Sequence, residues 1–178
     1  MTTIIAIETD EGLTFGWDSQ ITAGWHIYEG EMPKVFTNNG IIFGVAGAVL
    51  DASVIRQANL PSPDDAGWDI DKWVTNKLVP ALTDALSKRG ALTTTSGKIE
   101  TDSHLLIGVR GRLYKVGGDL NVLRRADRTY VVGSGCEFAR GALSAGATIL
   151  KALEIAAQHD MGTGGTLHVH TEKELVAA

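Results

Sequence analysis

Thr2-Thr3-Ile4-Ile5-Ala6-Ile7-Glu8 runs into Thr9-Asp10-Glu11-Gly12 and continues through Leu13-Thr14-Phe15-Gly16-Trp17-Asp18. Residues 3–8 and 13–18 are short apolar segments, and the polar stretch between them ends in glycine, a pattern that predicts paired strands at the start of the chain. The same stretch carries chemistry. Once Met1 is removed, Thr2 bears a free α-amine beside its hydroxyl, so a single residue holds both a nucleophile and a base.

Working outward, Ile41-Ile42-Phe43-Gly44-Val45-Ala46 follows the turn Asn38-Asn39-Gly40 and reads as a strand. After Gly47 the apolar spacing becomes helical through Leu50, Val54 and Ile55. Pro61 to Asp65 is loop. Ile70, Trp73, Val74, Leu78, Leu82 and Leu86 fall three and four apart, which predicts a long amphipathic helix to about Lys88, kinked at Pro80. Residues 93–98 form a polar excursion. Strands are expected at 104–109, 113–117 and 129–132, a helix over 136–158 with Gly141 and Gly146 as interruptions, a closing strand at 166–169, and a turn or short helix over 171–175. Strands, helices, strands, helix and strand in that order argue for an α+β protein with helices layered on antiparallel sheets.

The chain has 178 residues, a length that suits one domain, 1–178, and no linker or internal repeat divides it. A formal net charge of −5 with dispersed Lys and Arg leaves no basic field, so neither nucleic acid nor an anionic membrane surface is expected as a partner. No apolar run approaches the ~20 residues that span a bilayer, and the opening residues lack the pattern of a signal peptide. Cys136 is the single cysteine. It cannot form an internal disulfide and reads as a small core residue, so a reducing, cytoplasmic setting is expected.

Five segments carry a resemblance: Thr2-Thr3-Ile4-Ile5, Trp17-Asp18-Ser19-Gln20-Ile21-Thr22, Val45-Ala46-Gly47-Ala48 with Asp51, Val132-Gly133-Ser134-Gly135, and His159-Asp160-Met161-Gly162-Thr163-Gly164-Gly165. In order and spacing over nearly the whole chain they resemble proteasome β-type subunits and HslV-like peptidases, the N-terminal nucleophile (Ntn) threonine peptidases. That resemblance implies a four-layer αββα sandwich, two antiparallel sheets between helical layers. It also implies hydrolysis of peptide bonds by a threonine-type endopeptidase in which Thr2 Oγ attacks the scissile carbonyl and its own α-amine acts as base, through a water.

By position within that family, Lys34 would favour the alkoxide and Asp18 would hold Lys34. Gly47 would donate its backbone N–H to the oxyanion. Ser134, Asp160 and Thr163 would hydrogen-bond around the threonine amine and its water, with Thr163 in place of the family's usual serine. Taken singly, Asp18 also fits a strand end, Lys34 a solvated surface charge, Gly47 an ordinary junction glycine, Ser134 a helix N-cap and Asp160 a turn. The substrate strand would lie between Thr22 and Gly47, and Ile21, Met32, Phe36, Val45 and Val49 would line an apolar side-chain pocket or simply fill core, so cleavage after hydrophobic residues is expected. His168 and His170 share a strand face but lack a third ligand, so neither a metal nor a cofactor is expected.

The resemblance further implies polypeptide substrates and a homo-oligomeric ring, hexamer or heptamer, single or double. It implies a separate ATP-dependent unfoldase as well, since this chain has no phosphate-binding Gly-Lys-Ser/Thr loop. A catalytically silent ring subunit and an Ntn amidase acting on a small molecule are the alternatives. Retention of Met1 would favour the first, because it turns the Thr2 nitrogen into a non-basic amide.

Overall fold

The computed structural model describes residues 1–177. The opening hairpin forms as expected. Strand β1 (Thr3–Thr9) pairs antiparallel with β2 (Gly12–Asp18), with Ile4 opposite Trp17 and Thr9 opposite Gly12. A second hairpin follows that apolar alternation does not announce: β3 (Gln20–Ala23) and β4 (His26–Glu29), the latter exposed at every position. Strand β5 (Val35–Asn38) then turns through Asn39 and Gly40, at φ 50° and 75°, into β6 (Ile41–Ala46). Two successive left-handed residues match the twist of the strands they join.

Helix α1 (Val49–Gln57) comes next, and then a 3₁₀ turn over Pro63–Ala66. The predicted long helix is built in three pieces: α2 (Ile70–Trp73), capped by the Asp69 carboxylate, a π-helical turn over Val74–Leu78, and α3 (Val79–Lys88). Pro80 has no N–H to give the preceding turn. The wider turn just ahead of it, closed by Val79 N–H on Val74 O, takes up that interruption.

The polar excursion is itself a hairpin, β7 (Thr93–Thr95) with β8 (Lys98–Glu100), turning at Ser96 and Gly97. Strands β9 (His104–Val109), β10 (Arg112–Val116), β11 (Val122–Leu123) and β12 (Thr129–Gly133) follow. The helix expected over 136–158 is two: α4 (Cys136–Ser144) and α5 (Ile149–His159), parted at Gly146, whose φ is 90°, with Thr148 capping the second. Gly141 lies within α4 without breaking it. Strand β13 (Leu167–Thr171) and α6 (Glu172–Ala177) end the described chain.

Two larger antiparallel sheets result, one in the order β12-β1-β2-β13 and the other β11-β10-β9-β6-β5. Because side chains alternate across a strand, each sheet has two buried faces, and three apolar clusters fill them. Ile5 and Val131 pack with Ala139, Ala152, Leu153 and Ala156 of α4 and α5. Ile4, Phe15 and Trp17 of the first sheet meet Ile42, Leu106 and Leu113 of the second. Phe43, Ile107 and Tyr114 pack with Ile55, Trp73, Leu78 and Leu82 from the α1–α3 side. Each such fully buried large side chain contributes about 1.5–3 kcal/mol relative to exposure.

Candidate active site

Asp18 ends β2 and is wholly buried. A carboxylate without water needs donors, and four reach it. Oδ1 accepts the Thr3 N–H at 2.8 Å and the Lys34 ammonium at 2.9 Å. Oδ2 accepts the N–H groups of Gln20 at 3.2 Å and Gly164 at 3.1 Å. One carboxylate oxygen thus joins the first strand to Lys34, whose side chain is only 10 % exposed. Burial is the dominant influence on Lys34 and pulls its pKa below that of an ordinary lysine; the charges of Asp18 and Asp160 and the bond from Asp18 oppose it.

On the other side of the chain start, Thr2 N–H donates to Ser134 Oγ at 3.3 Å. Ser134 donates in turn to Asp160 Oδ2 at 2.6 Å, and Thr163 Oγ1 donates to the same oxygen at 2.6 Å. Gly162 N–H reaches Asp160 Oδ1 at 3.2 Å. Burial, the largest single influence on Asp160, raises its pKa. The three hydrogen bonds and the nearby chain terminus together outweigh burial and leave the pKa below the ordinary aspartate value. The Thr163 hydroxyl also meets that of Thr3 at 2.6 Å.

Gly133, at φ 100°, lets the chain start in: a Cβ there would collide with the carbonyl of Thr2. With Met1 attached, Thr2 nitrogen is an amide and Thr2 Oγ1 donates to Met1 O at 2.5 Å. Met1 packs beside Gly162, where an added Cβ would lie 2.9 Å from its sulfur.

Thr2 and Lys34 open onto a cavity of about 340 Å³ that also takes in Ile21, Thr22, Met32, Val45, Gly47 and Val49. Gly47, at φ 151°, sits where a side chain would strike Asp102 O at 2.7 Å. Its neighbour Ala48 donates to Ser103 Oγ at 3.0 Å, while the Gly47 N–H has no partner among the described residues.

Phe36 does not line this cavity, contrary to the sequence reading. Along β5 the side chains alternate, so Val35 points between the sheets and Phe36 toward the helices, into the cluster with Ile41 and Phe43. The guanidinium of Arg56 covers its ring, 3.9 Å from the centroid. Arg56 takes the wall position instead, with Ala52 and Val49 ahead of it on α1. Spacings of three and four put these three residues on one helix face, a signal present in the sequence and not used there.

His168 and His170 stack on Trp17, at 5.1 and 5.2 Å between ring centres. Among the described residues no cluster of three His, Cys, Asp or Glu side chains could hold a metal, and no helix is long and apolar enough to cross a membrane.

No protein-family model matches the chain, and no curated protein matches it in sequence. Solved structures do match over almost its whole length. The eukaryotic HslV of Trypanosoma brucei aligns with 95 % of this chain and 98 % of its own, at TM-score 0.65 and 22 % identity. BPH of Thiobacillus denitrificans, in complex with epoxomicin, aligns with 95 % of this chain and 97 % of its own, at 0.72 and 16 %. A (Gly-1) mutant of Anbu from Hyphomicrobium sp. strain MC1 aligns with 96 % of this chain and 81 % of its own, at 0.70 and 14 %. These are proteasome-like Ntn hydrolases, and the chain has their fold.

Proposed function

We propose that the chain is a threonine-type endopeptidase in which Thr2, freed of Met1, hydrolyses peptide bonds. One observation carries this reading: a single oxygen of buried Asp18 binds both the Thr3 amide and the Lys34 ammonium, at the edge of a cavity that contains Thr2. Thr2 Oγ attacks the scissile carbonyl carbon, and its proton passes through a water to the α-amine, whose reference pKa of about 7.7–8.0 leaves it neutral often enough to accept.

Lys34 stabilises the alkoxide, Asp18 keeps Lys34 in place, and the free Gly47 N–H receives the oxyanion. The carbon–nitrogen bond then breaks as the amine returns its proton to the leaving group, and water cleaves the resulting threonine ester. Ser134, Asp160 and Thr163 form the cradle that holds amine and water. The substrate backbone lies along Thr22 and Gly47.

The wider reading is a homo-oligomeric ring of one domain per chain, taking polypeptides from a separate ATP-driven unfoldase. The order of the three apolar clusters, helices against sheet, sheet against sheet, and sheet against helices, supports the four-layer αββα arrangement of such subunits. The silent-subunit reading draws on the Met1-bearing geometry, where Thr2 hydroxyl and amide are both engaged.

Mass spectrometry separates the two. The peptidase reading expects a mature mass without Met1 and one adduct on Thr2 after treatment with a peptide epoxyketone, the class of ligand bound in the BPH structure. Thr2→Ala should lower fluorogenic peptide hydrolysis at least about a thousandfold, in line with loss of a nucleophile. A retained Met1 in natively expressed protein, or undiminished turnover in Thr2→Ala, defeats the assignment.

A further inference from the structure

The cavity beside Thr2 is not wholly apolar. Ile21, Met32, Val45, Val49 and Ala52 give it greasy sides, but the face of α1 that supplies Val49 and Ala52 ends in Arg56. One guanidinium nitrogen of Arg56 donates to Pro33 O at 2.7 Å, and its flat face rests on Phe36. Its Nε is buried without a hydrogen-bond partner, and no carboxylate lies within ion-pair distance of the group among the described residues. Lys34, by contrast, already has Asp18.

A partly buried cation without a counter-charge gains from a partner, and burial correspondingly lowers the Arg56 pKa. A ligand carboxylate in the cavity can pair with the outer N–H groups of this guanidinium in the planar geometry it favours. Glu31, the carboxylate on the lining, is exposed to water, which screens it.

Resting on the peptidase reading, we propose that Arg56 is the specificity determinant of the cavity and selects an acidic side chain, glutamate foremost, on the residue whose carbonyl Thr2 attacks. Two methylenes match the apolar sides and the carboxylate meets the guanidinium at their end. This replaces the hydrophobic preference expected from the sequence alone.

The test uses Met1-free protein and fluorogenic peptides identical except for Glu, Leu or Lys at the cleaved position. The Glu peptide should lead in kcat/KM by about tenfold over Leu, and by more over Lys. Arg56→Met should cut the Glu-to-Leu ratio about tenfold, chiefly through KM for the Glu peptide, and Arg56→Lys should keep most of it. A ratio measured within one protein is independent of how much of that protein is folded, so the packing of Arg56 on Phe36 does not confuse the result. Faster cleavage after Leu, or a ratio that Arg56→Met leaves unchanged, overturns the role of Arg56 and leaves the Thr2 assignment standing. No hydrolysis of any peptide together with no epoxyketone adduct on Thr2 overturns both.

Discussion

Each end of β1 is pinned by a buried carboxylate, and the two carboxylates keep different company. Near Thr9, Glu8 has a side chain only 8 % exposed; it accepts the Leu113 N–H at 2.8 Å, and Arg124 reaches both its oxygens, at 2.9 and 3.1 Å. Beside it Asp71 accepts the Tyr114 hydroxyl at 2.5 Å and Arg112 at 2.7 Å. The bond from Tyr114 above all holds the Asp71 carboxyl below its ordinary range, and the bond to Asp71 raises Arg112. Arginine forks and carboxylates reinforce one another there, as in a structural clamp.

Near Thr3 the cation is a lysine, burial dominates it, and its pKa falls. A lysine in that condition is held charged by Asp18 with help from the charge of Asp160, and loses its proton more readily than the arginines do. The same strand is therefore tied down through arginine forks at one end and through a single buried lysine at the other.

The largest effect expected from this contrast is that of Asp18→Asn, which leaves the Lys34 ammonium desolvated without its counter-charge. Denaturant unfolding should show a loss of about 3–5 kcal/mol, and peptide cleavage should disappear with it. Glu8→Gln comes next. Arg124 is partly hydrated and can turn to water, so the loss should be about 1.5–3 kcal/mol, with hydrolysis per folded molecule unaltered. Equal losses from the two variants, or impaired hydrolysis in Glu8→Gln, would break the distinction between the ends.

The smallest effect belongs to Asp160. Its folded pKa is depressed, so its stabilising contribution is present above the ordinary aspartate value, near 4, and is lost as pH falls through the lower folded one. The gap in thermal midpoint between wild type and Asp160→Asn should be widest at pH 6 and close as pH falls through the depressed folded value. The corresponding difference in stability should stay below about 1 kcal/mol because solvent screens a partly exposed group. A gap that widens on acidification would reverse the sign assigned to this carboxylate.

Much of the architecture is written in local patterns. The first hairpin, the β5–β6 turn at Asn39-Gly40 and the helical spacing from Ile70 to Leu86 are all visible in residue types and intervals. The β3–β4 hairpin is not, because strand β4 is exposed throughout and so has no alternation to read. Nor does composition reveal that Pro80 is met by a π turn, since a kink and a register shift answer the same missing N–H. At the site, a resemblance in order and spacing groups Thr2, Asp18, Lys34, Ser134, Asp160 and Thr163, and hydrogen bonds running through Thr3 join them. Phe36 and Arg56 escaped because strand parity and helix facing decide between them. Both depend on how α1 lies across β5, a tertiary fact that no short window contains.

Strand β1 lies between β2 and β12, and its two neighbours leave the ribosome at very different times. At ~5–20 residues per second, β12 emerges on the order of ten seconds after the first hairpin is complete. Until then nothing closes over the segment that Gly133 and Ser134 later clasp. Synthesis itself thus leaves an interval in which the start of β1 stays open to other molecules, before the sheet zips shut around Thr2.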